Sequence, residues 1–200
     1  MFIAETLSRI AAELALFAGV GFLLFAVNDL AVDLIYFGRS IWRSLTVYTR
    51  FPRAFASYFV FSKNPGLIAI LVPAWDESSV IASMLKATLG RLDYDHYRIF
   101  VGYYRNDPAT AAAIASIADP RVEAVEVLAD GPTTKADCLN HLYDALIAYE
   151  MAHECEAKAV VLHDAEDVVH RFELRIFDAL IGRAAVIQLP VLPLPDPHSR

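Results

Sequence analysis

One long apolar stretch dominates the first forty residues. Ile10–Phe37 is interrupted by only four polar positions, and Leu14–Val27 within it contains none. A membrane-spanning helix needs about 20 residues, so the stretch is long enough if its acidic side chains lie near the ends or face protein. We therefore predict a transmembrane helix. The alternatives are a helix buried in a larger protein and a cleaved signal peptide, which an acidic leader without a clear A-x-A site disfavours.

A basic and aromatic segment follows the apolar stretch. Between Arg39 and Lys63 there are five basic residues and no acidic ones, and Ile41–Phe61 mixes them with aromatic side chains. Such a composition favours the membrane interface, and the positive-inside rule places it on the cytoplasmic side. The alternative is a helix packed on the following domain. In either case Pro52 predicts a kink or break near Phe51.

From Leu67 onward, short apolar runs alternate with helical patterns. Runs of this length that end at turn residues are typical of buried parallel strands, and the T-x-x-D sequence at 134–137 is typical of a helix start. The predicted strands are Leu67–Val72, Arg98–Tyr104, Arg121–Leu128, Ala159–Leu162 and Ala185–Leu189, and the predicted helices are Ser79–Leu92, Ala109–Ala118, 134–153 and Phe172–Ile181. This order predicts an α/β fold with a parallel sheet covered on both faces.

These patterns divide the chain into four parts. We predict a transmembrane anchor at 1–38, a basic aromatic juxtamembrane segment at 39–64, an α/β domain at 65–195 and a tail at 196–200. The net charge is −7, and residues 64–200 hold eleven basic against twenty acidic residues, which argues against nucleic-acid binding. The two cysteines form neither a CxxC pair nor a zinc pattern, so a reducing, cytosolic setting fits the domain.

Polar clusters follow four of the predicted strands. They are Pro73–Glu77, Arg105–Asp107, 130–137 with Lys135, and His163–Asp167. Ligands of open parallel sheets bind beyond the carboxyl ends of the strands, so these clusters predict a binding site. Neither G-x-G-x-x-G nor G-x-x-x-x-G-K-[ST] occurs at a strand-to-helix turn, so a nucleotide would have to be held by acidic groups, a metal and isolated donors.

The last cluster has the sharpest chemistry. Asp164, Glu166 and Asp167 place three acidic groups in four positions, and hard oxygen ligands of this kind select Mg²⁺ or Mn²⁺. The alternative is a solvated acidic turn before the next helix, and His163 is interpreted as structural. Lys135 lies at a helix start, where the helix dipole also favours phosphate.

Residues of the other clusters have two interpretations each. Trp75 either stacks on a ligand or packs in the core. Asp76, Glu77 and Asp107 either contact a ligand or cap helices, and the sequence leaves both roles open.

Three of these motifs resemble those of a known family. V-P-A-W-D-E at 72–77, K-A-D-C-L-N at 135–140 and H-D-A-E-D at 163–167 look like the successive motifs of family 2 glycosyltransferases with a GT-A fold. The resemblance is greatest to the membrane-bound, polymer-forming branch of the family, which includes phage-adsorption proteins of the inner membrane. It covers about Leu67–Leu194, and it implies that the α/β domain is a GT-A-like nucleotide-sugar-binding half.

The resemblance implies five donor-binding residues. Pro73, Ala74 and Glu77 would line the nucleotide pocket, and Asp107 would hold the base or the ribose. Lys135 would face the diphosphate of the donor, which is expected to be a UDP-sugar.

The resemblance also implies a metal site. Asp164 and Glu166 would take the D-x-D role and bind Mg²⁺ or Mn²⁺ together with the diphosphate. Glu166 stands where the family usually has a second Asp, and Arg171 stands where many relatives have Pro, so the chain departs from the family pattern at both positions.

The implied function is glycosyl transfer at the bacterial inner membrane, with the domain in the cytoplasm and a growing glycan, such as an exopolysaccharide, as acceptor. The catalytic residue is unknown, because the family's acidic base and Q-x-x-R-W motif have no counterpart here. The Pro-rich ending resembles a linker, so we expect a chain cut before the acceptor half and inactive alone.

The sequence leaves two alternative functions. The first is a non-catalytic membrane component of a glycan-secretion or phage-adsorption complex, with outer-membrane or secretion partners. The second is a nucleotidyltransferase, whose Gly- and Arg-rich loop is missing.

Overall fold

The computed structural model describes residues 2–51, 55–59 and 64–191, with side chains from residue 5 onward. It divides the chain into two compact units, Met1–Ala54 and Phe55–Arg200, which are treated separately below. The predicted break at Pro52, the basic residues Arg53 and Lys63, and the tail at 196–200 lie outside the described residues.

The first unit is built on one continuous helix. Helix α1 spans Phe2–Thr46, so it extends beyond the predicted stretch at both ends. Its apolar side chains are exposed around the whole circumference; Phe17 is 81% exposed. Within the described part of the chain, it is the one helix long and apolar enough to cross a membrane. A surface this apolar requires either lipid or another protein around it.

Among the described residues between α1 and the sheet, the helical structure is limited to a short segment. The chain turns at Val47–Arg50, and a single 3₁₀ turn covers Ala56–Tyr58. The predicted interfacial segment therefore begins inside α1, whose last turn carries Arg43.

The second unit is an α/β domain with a parallel sheet, as predicted. Strand β1 lies between β2 and β4, β3 lies beyond β2, and all three pairings are parallel. The strands are β1 Leu67–Pro73, β2 Tyr97–Tyr104, β3 Val122–Val127 and β4 Ala157–Leu162. The helices are α2 Ile81–Arg91, α3 Pro108–Ala115, α4 Lys135–His153 and α5 Glu173–Leu180.

Helices cover both faces of the sheet. On one face, Ile68, Ile70 and Val72 of β1 pack in a cluster with side chains of α2, α3 and α5. On the other face, Ala69 and Leu71 pack against α4. Alternate residues of one strand thus enter two separate cores, which explains why β1 is an unbroken apolar run rather than an alternating pattern.

The predicted strand at Ala185–Leu189 is wrong. The segment has no strand conformation in the structure, and Val186 is 84% exposed. Ile187 and Leu189 pack against the edge of the core as partly buried side chains. An apolar run indicates burial, but a strand also requires a hydrogen-bonded neighbour, and the described residues supply four strands rather than the predicted five.

A buried ion pair fixes the start of β1. Asp178 of α5, 3% exposed, accepts hydrogen bonds from the Gly66 amide at 3.1 Å and from Lys158 Nζ at 2.6 Å. Tyr94 donates its hydroxyl hydrogen to the Gly66 carbonyl at 2.6 Å. Burial alone would raise the pKa of Asp178, but the hydrogen bonds from Lys158 and Gly66 outweigh it and hold the pKa below its ordinary value. The pair therefore ties α5 and β4 to the beginning of the central strand.

We predict that Lys158→Met lowers the free energy of unfolding by about 1–3 kcal/mol at neutral pH, because Asp178 then stays buried without its cation. A depressed carboxyl pKa stabilises the fold above the ordinary pKa of about 4, and this stabilisation is lost as the pH falls through the lowered value. The difference from the wild type should therefore shrink in acid. Denaturant unfolding of the detergent-solubilised chain from pH 7 to pH 3 measures it. Exposed Lys86→Met is the control, and equal stabilities at neutral pH would contradict the prediction.

Candidate functional site

A cavity of about 320 Å³ lies at the carboxyl ends of the strands. Four chain segments meet there: the end of β1 with the loop that follows, the end of β2, the loop before α4, and the loop after β4. The lining residues are Pro73, Ala74, Trp75, Glu77, Tyr104, Pro132, Thr133, Lys135, Cys138, Asp164, Ala165 and Glu166. Three of the four predicted polar clusters, Pro73–Glu77, 130–137 and His163–Asp167, therefore supply most of the lining, whereas no residue of Arg105–Asp107 lines the cavity.

The loop after β1 has an unusual backbone. Asp76 has φ 57°, in the left-handed region that residues with a side chain rarely adopt. The amide of Asp76 donates to Asp107 Oδ2 at 2.7 Å, and the amide of Glu77 donates to Thr110 Oγ1 at 3.1 Å. Both acceptors belong to the start of α3, so that helix holds the loop from behind.

The loop before α4 is held by a side-chain amide. Asn106 donates to the Gly131 carbonyl at 2.9 Å and accepts from the Gly131 amide at 2.8 Å. A Cβ on Gly131 would lie 2.4 Å from Trp75 Cε3 and 2.8 Å from Tyr104 Cγ. Glycine is therefore required for space, because two aromatic rings in edge-to-face contact, with centroids 5.2 Å apart, occupy the place of a side chain.

Helix α4 starts at the cavity. Its N-cap residue Thr134 accepts a hydrogen bond from the Asp137 amide at 3.1 Å, so the predicted T-x-x-D helix start is confirmed. Lys135, the first helical residue, forms an ion pair with Asp164 in the loop after β4. Both side chains are about half exposed, so the pair is open to exchange with other charged groups.

Acidic groups accumulate along the wall of the cavity that Glu77, Asp164 and Glu166 form. Partial burial and then the negative charge of Glu166 raise the pKa of the Glu77 carboxyl, and Asp76 and Asp164 add to the effect. The wall therefore carries a concentrated negative charge that Lys135 only partly balances.

The residues fit a metal ion only if another molecule shares it. In the described parts of the chain, no three His, Cys, Asp or Glu side chains converge as a ligand set. Asp164 and Glu166 nevertheless line the same cavity, and Mg²⁺ is commonly held by one or two carboxylates plus substrate phosphates. The donor set suits such a shared ion and does not suit a metal bound by protein alone.

His163 supports this wall from inside, as its structural interpretation requires. It is 4% exposed, and its Nε2 lies 3.2 Å from Glu173 Oε1 at the start of α5. Asp167 Oδ2 accepts a hydrogen bond from the Asp164 amide at 2.8 Å, which closes the acidic loop into a turn.

The structure brings together six of the seven predicted site residues. Pro73, Ala74, Glu77, Lys135, Asp164 and Glu166 all line the cavity. Asp107 lies behind it and is 8% exposed.

Sequence reasoning did not single out Tyr104, Pro132, Thr133, Cys138 or Ala165, although Pro132 and Thr133 belong to the predicted 130–137 cluster and Ala165 belongs to His163–Asp167. Of these, Tyr104 carried a usable signal, because it is the last residue of a predicted strand. Its hydroxyl lies 2.7 Å from Thr133 Oγ1.

Comparison with known proteins identifies this arrangement. Residues 65–191 match the family model described as Glycosyltransferase like family 2. The chain belongs to glycosyltransferase family 2. A domain of this family implies a nucleotide-sugar donor and an acceptor.

The sequence is also similar to two bacterial proteins over most of its length. It is 41% identical over 170 residues to Bacteriophage adsorption protein B of Escherichia coli (strain K12), and the same identity holds for Bacteriophage N4 adsorption protein B of Escherichia coli O157:H7. The match covers 84% of this chain and 23% of each relative. The glycosyltransferase chain thus spans about a quarter of the length of these relatives.

We predict that Gly131→Ala displaces Trp75, because the new methyl group overlaps both aromatic rings. The overlap should lower the free energy of unfolding by roughly 1–3 kcal/mol. Denaturant unfolding measures this loss, and tryptophan fluorescence reports the displaced ring. Gly182→Ala, where a Cβ meets nothing within 4 Å, is the matched control. Unchanged stability and fluorescence in Gly131→Ala would contradict the prediction.

Proposed function

We propose that this chain is the donor-binding part of a membrane-bound glycosyltransferase that transfers the sugar of a UDP-sugar to a growing glycan. The observation that carries the proposal is the meeting of Lys135, Asp164 and Glu166 in one cavity with Pro73 and Ala74. A cation, two carboxylates and an apolar wall are the groups that a nucleoside diphosphate with a metal ion requires.

The charges of the cavity suit a diphosphate on the α4 side. Lys135 contributes a positive charge, and the free amides at the start of α4 add the positive end of the helix dipole. Lys135 forms an ion pair with Asp164 in the structure. Donor binding would transfer Lys135 from Asp164 to the diphosphate and leave Asp164 available to a cation.

Asp164 and Glu166 would then hold Mg²⁺ or Mn²⁺ between themselves and the diphosphate. Such an ion supplies charge stabilisation to the leaving diphosphate when the bond between the sugar and the diphosphate breaks. The longer side chain of Glu166, where the family usually has Asp, sets one ligand further from the backbone.

The uridine would lie along the wall formed by Pro73, Ala74 and the Trp75–Tyr104 ring pair. A volume of about 320 Å³ falls at the lower end of the range for small-molecule sites. This wall offers shape and aromatic surface rather than charge. We assign no catalytic base among the described residues, because Asp164 and Glu166 are committed to the ion.

The proposed location is the bacterial inner membrane. Helix α1 would span it with the amino terminus outside, and the basic flank beginning at Arg39 would lie on the cytoplasmic side, where nucleotide sugars are made. The exposed apolar circumference of α1 and the similarity to a phage adsorption protein support membrane association.

A second candidate is a membrane component for phage adsorption that binds no donor. It is favoured by the names of the two relatives, both called adsorption proteins. Nucleotide binding separates the two functions, because a non-catalytic component has no need for a metal-dependent UDP site.

We predict that UDP binding requires Mn²⁺ or Mg²⁺, because the phosphates and the carboxylates of Asp164 and Glu166 repel each other without a bridging cation. Calorimetry should show at least a roughly tenfold loss of affinity with EDTA, and a similar loss in Asp164→Asn. Lys135→Ala should weaken UDP binding while the metal requirement persists. Asp144→Asn, an exposed Asp elsewhere on α4, is the control. Equal UDP affinity with and without metal would remove the metal assignment.

We predict that Cys155 reacts with a membrane-impermeant maleimide only after cell lysis, because the α/β domain is placed in the cytoplasm. The chain provides its own reporter, since Cys155 is exposed and Cys138 is buried. Cys155→Ser should abolish labelling, and Cys138→Ala should retain it. The chain should also stay in the membrane pellet after alkaline carbonate. Labelling in intact cells would reverse the orientation, and release by carbonate would exclude the spanning helix.

A further inference from the structure

We infer that Asp107 and Thr110 are positioning residues that hold the Trp75–Glu77 loop in its donor-binding conformation, and that neither contacts the nucleotide. This inference rests on the proposed function, because it explains how part of the proposed nucleotide pocket is shaped. It differs from the direct contact with base or ribose that family resemblance implies for Asp107.

Both carboxylate oxygens of Asp107 accept hydrogen bonds from the protein. Oδ1 accepts from the Thr110 amide at 3.1 Å, which makes Asp107 the N-cap of α3, and Oδ2 accepts from the Asp76 amide at 2.7 Å. Burial alone would raise the pKa of Asp107, but hydrogen bonds from the Thr110 hydroxyl and from the two amides outweigh it and hold the pKa below its ordinary value. The carboxylate is therefore ionised at neutral pH, and it is 8% exposed and directed at protein donors.

Thr110 extends the same network. Its side chain is fully buried, and its hydroxyl oxygen accepts from the Glu77 amide at 3.1 Å. The amides of two consecutive loop residues, Asp76 and Glu77, thus donate hydrogen bonds to two residues at the start of α3. We call this set of contacts, Asp107 and Thr110 with the amides of Asp76 and Glu77, the α3 clamp.

The loop needs such a clamp because its conformation is costly. A left-handed φ at a residue with a side chain costs about 1–2 kcal/mol and persists where surrounding contacts fix it. Asp76 has this conformation, and its own amide is one of the two that the α3 clamp holds. Trp75 and Glu77, on either side of Asp76, both line the cavity. Relaxation at Asp76 would therefore move an aromatic wall and a carboxylate together.

Two substitutions divide the α3 clamp without removing the helix cap. Asp107→Asn keeps an oxygen to cap α3, since Asn caps as well as Asp, but presents an amide group to the Asp76 N–H. Thr110→Val has nearly the same shape and removes the hydroxyl, which accepts from the Glu77 N–H and donates to Asp107. Thr110→Ser restores the hydroxyl. Asp119→Asn is the control, because Asp119 makes comparable bonds to Arg121 before β3, at the opposite edge of the sheet.

The experiment uses the full chain in detergent with Mn²⁺ and UDP, CDP or GDP as separate probes. Asp107→Asn and Thr110→Val should each weaken all three nucleotides by the same factor, about fivefold, which corresponds to one hydrogen bond. Thr110→Ser and Asp119→Asn should bind like the wild type. Amide hydrogen exchange should accelerate at Asp76 in Asp107→Asn and at Glu77 in Thr110→Val, and at neither residue in Asp119→Asn.

Three results would overturn the inference. The first is wild-type nucleotide affinity in both Asp107→Asn and Thr110→Val. The second is a loss confined to Asp107→Asn that differs between UDP, CDP and GDP, because it would show direct contact with the base. The third is unchanged exchange at both loop amides. If the wild-type chain bound no nucleoside diphosphate, the proposed function would fail, and the exchange rates would still decide whether the α3 clamp holds the loop.

Discussion

Strand β1 carries the constraint on which the rest of the α/β domain depends. It is hydrogen-bonded to β2 on one side and to β4 on the other, and its two faces contribute to two separate cores. Because both pairings are parallel, the ends of these three strands point to the same edge of the sheet. The loops that follow these strands therefore lie close together, and the cavity forms between them.

Two helix starts lie next to this cavity and serve different purposes. The start of α3 is occupied by Asp107 and Thr110, whose contacts turn inward to a neighbouring loop. The start of α4 presents Lys135 to the cavity. The start of α3 thus supports a neighbouring loop through two side-chain acceptors, whereas the start of α4 presents a cationic side chain to the cavity.

The sequence predicted those parts of the structure that depend on local patterns. The apolar run of β1 and the T-x-x-D start of α4 contain their own evidence, and both were located to within one or two residues. Ala185–Leu189 failed because pairing needs a neighbour that no local pattern reveals. The partners of Asp107 and Asn106 were equally hidden, since Asp76 lies 31 residues from Asp107 and Gly131 lies 25 residues from Asn106.

The raised pKa of Glu77 has a consequence for the stability of the α/β domain. Burial and the repulsion from the negative charges of Glu166, Asp76 and Asp164 disfavour the ionised form of Glu77, which costs the folded state stability at neutral pH. Any bound cation relieves that repulsion and is thereby linked to folding: what favours occupancy also favours the native state. Selection for stability alone would remove these acidic residues. Their presence in one small cavity is therefore explained by a role other than stabilising the fold.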